Sequence, residues 1–312
     1  MKKNILFIIH FCLFTFAGVL ANAQEYTVEV FITNQPDNRI VFGSVKGDDF
    51  TPIDSTFIYP DSRKVVFRFN SESHIGVYRV VLGKTTYAKV MDEPPQQVDF
   101  IFNKENIVLK TDYKEPMQKL VVVKSAENDI WFEFLAKDKI LKDEIKSLET
   151  QIDYYLSNND SDNLDKVANE YNTLQIARDL FIQELAKTNS GLLVSAIIYN
   201  QRLPVLDGYL TKDERNEVYR KDFFKVLDFS DERLIQSSVY TDKVFEYLVS
   251  YNIPEFSQKQ REDAYIKAVD IVLPAVNKNK NVYSFIRNYL LNGFKMLQLQ
   301  HVIDYVNKNY PA

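Results

Sequence analysis

Cysteine is almost missing from this chain of 312 residues: the single copy is Cys12. It lies in the apolar run from Ile5 to Leu20, broken only by His10 and Thr15, which follows Met1-Lys2-Lys3 and leads to Ala21-Asn22-Ala23 before Gln24. A charged start, a short apolar stretch and small residues three and one before Gln24 predict a secretory signal peptide over 1–23, cleaved between Ala23 and Gln24. The run is short for a bilayer span, and the small-residue site argues against an uncleaved anchor. Cys12 follows Ile9-His10-Phe11, without the small residue that a lipidation site needs before it. The mature chain is therefore expected to be exported and free of cysteine. As it stands, that excludes a disulfide framework, a cysteine zinc site and thiol-disulfide chemistry, although the oxidising destination would permit disulfides.

Histidine is scarce too. Of three copies, His10 leaves with the leader, and His74 and His301 are far apart in sequence. Catalytic histidines need a positioned partner, so neither is given a metal or proton-relay role. Glycine-rich phosphate loops, nucleophile elbows and paired-histidine zinc motifs do not occur, so the sequence assigns no catalytic residue, no metal ligand and no cofactor. Basic residues number 38 against 43 acidic, and loss of Lys2 and Lys3 takes the formal charge from −5 to −7. Nucleic acid is thereby excluded as a partner. Charges of both signs alternate without long blocks, which reads as a solvated surface. Nothing after residue 23 reads as a transmembrane segment.

What is present is apolar and aromatic: 46% of residues are hydrophobic, with 19 Tyr and 22 Phe, enough for one or two cores without disulfide support. From Tyr26 to about Val123 the text is strand-like, with runs Tyr26–Ile32, Arg39–Phe42, Val65–Phe69, Val77–Leu82 and Val98–Phe102. Turn signals separate them at Pro36-Asp37-Asn38, Gly47-Asp48-Asp49, Pro60-Asp61-Ser62 and Asn103 to Asn106. These predict an antiparallel β-sandwich or barrel over 24–124.

From Ala126 the period becomes helical. One apolar stripe runs Ile130, Phe134, Leu141, Ile145, Leu148, Ile152, Tyr155, and a second runs Leu164, Val167, Tyr171, Leu174, Phe181, Leu185, interrupted by Arg178. The break at Asn158 to Ser161 makes an antiparallel helical hairpin over about 126–187. A helical bundle is expected over about 190–310, with capping boxes at Thr211/Glu214 and Ser257/Gln260, breaks at Pro204, Pro254 and Pro274, and a last helix over Leu297 to Tyr310. The fold class is thus α+β, with an α-helical domain over 125–312.

Several constellations carry residue types that chemistry could use. Asp160 to Asp165 alternates acids like a calcium loop, but Asp165 and Tyr171 stand where such a loop needs glycine and a bidentate glutamate, so a helix N-cap is the better reading. Asp228, Asp231 and Glu232 offer carboxylates for acid–base work. Their setting reads instead as a helix start, where acids favour the dipole. The aromatics read as core rather than as a ligand groove. Asp54-Ser55-Thr56 resembles the short site used for O-glycosylation of envelope proteins in some Gram-negative bacteria, making Ser55 a candidate modification site, with a plain strand or turn hydroxyl as the alternative.

Gly43 to Ser55, Gly76 to Gly83 and Phe100 to Asn106 resemble an N-terminal β domain of undefined function that precedes a thioredoxin-like module, and Phe223 to Ile235 with Tyr283 to Phe294 resemble the helical region that follows it. The resemblance implies a periplasmic or envelope protein related to thioredoxin-like thiol-disulfide oxidoreductases, with a protein partner or a tethered redox domain. No residue here matches that family's Trp-Cys-x-x-Cys pair, so no catalytic role is carried over. Three readings follow: a non-catalytic envelope scaffold or interaction module; the front portion of a longer oxidoreductase whose active site lies beyond residue 312; and a binding protein for a glycan, peptide or lipid. The first is favoured, and a linker after Tyr310-Pro311-Ala312 is what the second expects.

Overall fold

The computed structural model describes residues 25–35, 39–58 and 63–311. The leader with its Ala23/Gln24 junction, and the turn signals at Pro36-Asp37-Asn38 and Pro60-Asp61-Ser62, lie outside them. The β half consists of β1 (Tyr26–Thr33), β2 (Arg39–Lys46), β3 (Asp49–Phe57), β4 (Lys64–Phe69), β5 (Gly76–Val81), β6 (Gln97–Phe102), β7 (Ile107–Asp112) and β8 (Val121–Lys124), with a one-turn helix α1 (Thr86–Val90) between β5 and β6. Two four-stranded sheets result, ordered β4-β1-β7-β8 and β3-β2-β5-β6.

All pairings are antiparallel except β1 with β7. That exception arises because the chain crosses from one sheet to the other between β6 and β7 and arrives beside β1 running the same way. Alternation does the folding. Val28, Val30 and Ile32 of β1 and Val65, Phe67 and Phe69 of β4 share one core with Phe42, Tyr78, Val80, Val98, Phe100 and Phe102 of the other sheet. Rings stack across the gap, Phe42 on Phe67 at 4.5 Å and Phe69 on Phe102 at 3.9 Å between centroids. Each such ring stabilises by ~1.5–3 kcal/mol through burial alone. The edge strand β3 is exposed along most of its length and carries Pro52 at a bulge opposite Gly43, a placement that proline tolerates only at an edge.

The helical half opens with the expected hairpin, α2 (Ala126–Asn158) and α3 (Ser161–Thr188). Asn159 takes the left-handed conformation at φ 54°, and the Asp160 side chain caps α3 by accepting from the Asn163 amide at 3.2 Å, so the acid run is a turn and a cap. There follow α4 (Leu193–Tyr199), α5 (Lys212–Asp222), α6 (Val239–Val249), α7 (Gln258–Ala275), α8 (Lys280–Met296) and α9 (Gln300–Asn309), with 3-10 turns at Phe223–Val226 and Glu232–Gln236. Both capping boxes form. Pro274 is the penultimate residue of α7, while Pro204 and Pro254 lie in loops. The last helix starts at Gln300, later than its apolar pattern suggests, because α8 runs on to Met296.

The halves meet on the outer face of β3-β2-β5-β6, where Ile101, Ile75 and Val77 join the helical core. Two glycines allow the approach. Gly47, at φ +58°, donates its amide to the Ser237 carbonyl at 2.9 Å, and a β-carbon there would sit 2.8 Å from the Phe285 ring. A β-carbon on Gly76 would lie 2.5 Å from the Gln236 carbonyl oxygen. β6 is an edge strand, and its free backbone groups at Ile101 are taken by one side chain: Asn128 accepts from the Ile101 amide and donates to its carbonyl, both at 2.8 Å. The buried Asn128 amide thus stands where a further strand would.

Candidate functional site

Two surface grooves border the segment from Asp228 to Gln236. The larger, a trough of about 750 Å³, runs between the C-terminal part of α3 (Leu180, Gln183, Glu184, Lys187), a floor of Ala186, Ser195 and Ala196, and a wall formed by Tyr199, Asp228, Asp231 and Arg233. The smaller, about 530 Å³, opens where the halves meet, beside Lys46, His74 and Gln236. Arg233 borders both.

The trough is built from segments distant in sequence, each held in place by a specific polar contact. Leu192 at the N-cap of α4 has no capping side chain. Glu127 of α2 supplies one, its carboxylate accepting from the Leu193 and Val194 amides at 3.2 and 2.8 Å while Asn103 donates to it from the turn after β6. Asn200, just past α4, accepts the Asp228 amide at 2.9 Å. The buried Tyr240 donates to the Asp231 and Asp228 carbonyls at 2.9 and 3.2 Å, and burial raises its phenol well above the ordinary value. The outer wall is therefore fixed from behind by α6 and from the side by α4.

Asp231 caps the 3-10 turn by accepting the Arg233 amide at 3.0 Å, and it holds the Arg233 guanidinium with Nη2–Oδ2 at 2.6 Å. Partial burial pushes the Asp231 carboxyl up, but the hydrogen bonds from Arg233 and its charge together pull the net value down. A carboxylate lowered in the folded state stabilises above its unfolded value and loses that contribution as pH falls through the folded one. Asp231→Ala is therefore expected to cost ~1 kcal/mol at neutral pH, mostly as a lost cap. In urea unfolding, the gap to the parent chain should narrow as pH drops below the usual carboxylate range; a pH-independent gap would remove the ion pair from the account.

The residues singled out from sequence are scattered. Ser55 is exposed on β3, and its amide donates to Asp54 Oδ1 at 2.7 Å. His74 is exposed at the smaller groove, and His301 is exposed on α9. Asp228 accepts from the Ser230 amide and hydroxyl, both at 3.0 Å, while Glu232 receives Asn281 at 2.6 Å, so the acidic cluster is divided among turn, cap and junction. Lys243 escaped notice in the sequence. It is buried, its ammonium 2.8 Å from Glu246 Oε2 and 5.8 Å from the centre of the Phe223 ring; burial lowers its pKa while Glu246 pulls it back. Tyr219 donates to the other oxygen of Glu246 at 3.0 Å. Lys243 lines neither groove, and its contacts join α6 to the 3-10 turn at Phe223.

Among the described residues no group of three or more His, Cys, Asp or Glu side chains is placed to hold a metal, and no helix is long and apolar enough to cross a membrane. No protein-family model and no curated protein matches the sequence.

Proposed function

We propose that the chain is an exported, non-catalytic scaffold or interaction protein of the cell envelope, presenting the α3/α4 trough to a protein partner. The observation that carries this reading is the junction. Gly47 and Gly76 let the backbones of the two halves approach closely, and the Asn128 side chain bonds the β6 backbone, so the two halves act as one platform rather than as jaws around a substrate. The trough opens to solvent and is mixed in charge, as a macromolecular contact is and an enclosed small-molecule pocket is not. A photoreactive residue replacing Lys187 should give a discrete adduct in cells exporting the chain, and the same residue replacing His301 should not; equal labelling at both would remove the trough as the contact.

A second reading, the front portion of a longer thiol-disulfide oxidoreductase, is favoured by where the resembling segments fall. Gly43 to Ser55 forms the hairpin that carries Gly47, and Phe223 to Ile235 and Tyr283 to Phe294 supply helical surface at or beside the same junction, including Phe285. The shared pattern thus supports a shared way of docking the halves. Intact mass of the native protein separates the readings. A mass matching residues 24–312 supports the scaffold and cleavage after Ala23, a mass heavier by a domain supports the oxidoreductase, and a sugar increment mapped to the Ser55 peptide supports its glycosylation.

A further inference from the structure

The trough has features that select its occupant. On the α3 and α4 side the backbone groups are bonded within the helix, and on the irregular wall side chains take them: Asn200 and Asp228 accept the Asp228 and Ser230 amides, and Tyr240 and Asn279 donate to the carbonyls of Asp228, Asp231 and Ser230, so the trough offers no row of amides and carbonyls to an extended chain. A segment lying in it must satisfy its own backbone, which a helix does. The floor is made of Ala186, Ser195 and Ala196, small side chains that allow a second helix to come close. At one end of the trough Leu180 is left 58% exposed, and one turn further along the same face of α3 Ile176 is 49% exposed. From Ile176 to Lys187 this face is about 17 Å long at 1.5 Å per residue, three turns of helix.

The charges also discriminate. Arg233 is neutralised by Asp231, and the remaining ionic groups of the trough are the carboxylates Glu184 and Asp228 against the single cation Lys187. The surplus is negative and sits beside the apolar strip.

We propose that the trough binds a short amphipathic helix of a partner protein, with apolar residues one turn apart lying along Ile176 and Leu180 and a lysine or arginine reaching Glu184 and Asp228. This rests on the scaffold reading above and gives it a partner chemistry. An open trough would leave much of a small ligand in water, and a partner strand would find no edge to extend.

The test is a displayed library of alanine-based helical segments of about four turns, randomised on one face, selected against the full exported chain and counter-selected against Glu184→Lys. Survivors should share apolar residues three or four apart with a neighbouring lysine or arginine. As free peptides they should lose at least ~tenfold in affinity on Leu180→Asp and on Glu184→Lys, and again when their own basic residue becomes Glu. Leu180 and Glu184 are exposed, so both variants should keep the parent's melting temperature. Failure to enrich any segment, or survivors that bind the variants as well as the parent, overturns the helix. Self-association of the chain that Leu180→Asp abolishes also overturns it, by giving the trough to a second copy. If the Lys187 adduct still forms in any of these cases, the scaffold reading stands and only its helical partner falls.

Discussion

Arg178→Met is expected to lower the free energy of unfolding by ~3–5 kcal/mol, because it leaves a carboxylate uncompensated in the interior. Asp138 and Arg178 face each other across the hairpin with side chains 3% and 4% exposed and Nε–Oδ1 at 2.7 Å. Arg178 also donates to the Gln201 carbonyl at 2.9 Å, tying α3 to the residues after α4. Without the guanidinium, Asp138 keeps only Lys142, at 2.9 Å and itself 44% exposed, and the Gln201 carbonyl loses its donor. Burying a charge without its partner is costly, whereas replacing the whole pair by apolar groups of similar size is often neutral or better. The double variant Arg178→Met with Asp138→Leu should therefore recover most of the loss, since Lys142 can turn into solvent. Urea unfolding of both singles and the double measures this directly. A double variant as unstable as Arg178→Met alone would mean that packing or the Gln201 contact dominates, and the ion pair would lose its place in the account.

The same pair shows where sequence reasoning stops. Arg178 was visible as a polar interruption in an otherwise apolar stripe, yet its partner is 40 residues away on the other helix, and nothing in the local text points to Asp138. The hairpin itself was legible because its signals are local: two apolar stripes, a polar break and a capping aspartate at Asp160. Strands β1, β2, β4, β5 and β6 were legible from alternation, which a half-buried sheet imposes. β3 was not, since it is exposed on nearly every residue and contains Pro52, so burial left no pattern on it. The parallel pairing of β1 with β7 was hidden for a different reason: it depends on which sheet the chain enters after β6, and no turn residue encodes that. At the trough, the text around Asp228, Asp231 and Glu232 reads as a helix start with acids in its first turn, whereas the chain makes only a 3-10 turn there with Asp231 as its cap, and Glu127 looks like any acid in a first helical turn. Its role as the cap of α4, 66 residues later, exists only once the fold has formed.

Asn128→Leu, close to isosteric, is expected to cost ~2–6 kcal/mol, the sum of two buried backbone groups left without partners at ~1–3 kcal/mol each. The Ile101 amide and carbonyl have no strand to turn to, because β6 is the edge of its sheet and the side facing α2 is dry. The effect should be local in a particular way. Amide exchange should accelerate at Ile101 and, with it, in the 3-10 turn Glu232–Gln236, which packs on the same sheet face through Gly76, while β1, β4 and β7 on the far sheet keep their protection. Because Glu127, the neighbour of Asn128, holds the start of α4, loosening this turn of α2 should also displace the trough floor at Ser195 and Ala196. A helix selected on the parent chain should then bind the Asn128→Leu protein more weakly, although Asn128 does not line the trough. Unchanged exchange at Glu232–Gln236 together with unchanged binding would mean that the halves and the trough are mechanically independent. The platform on which the scaffold reading depends would then be two separate bodies.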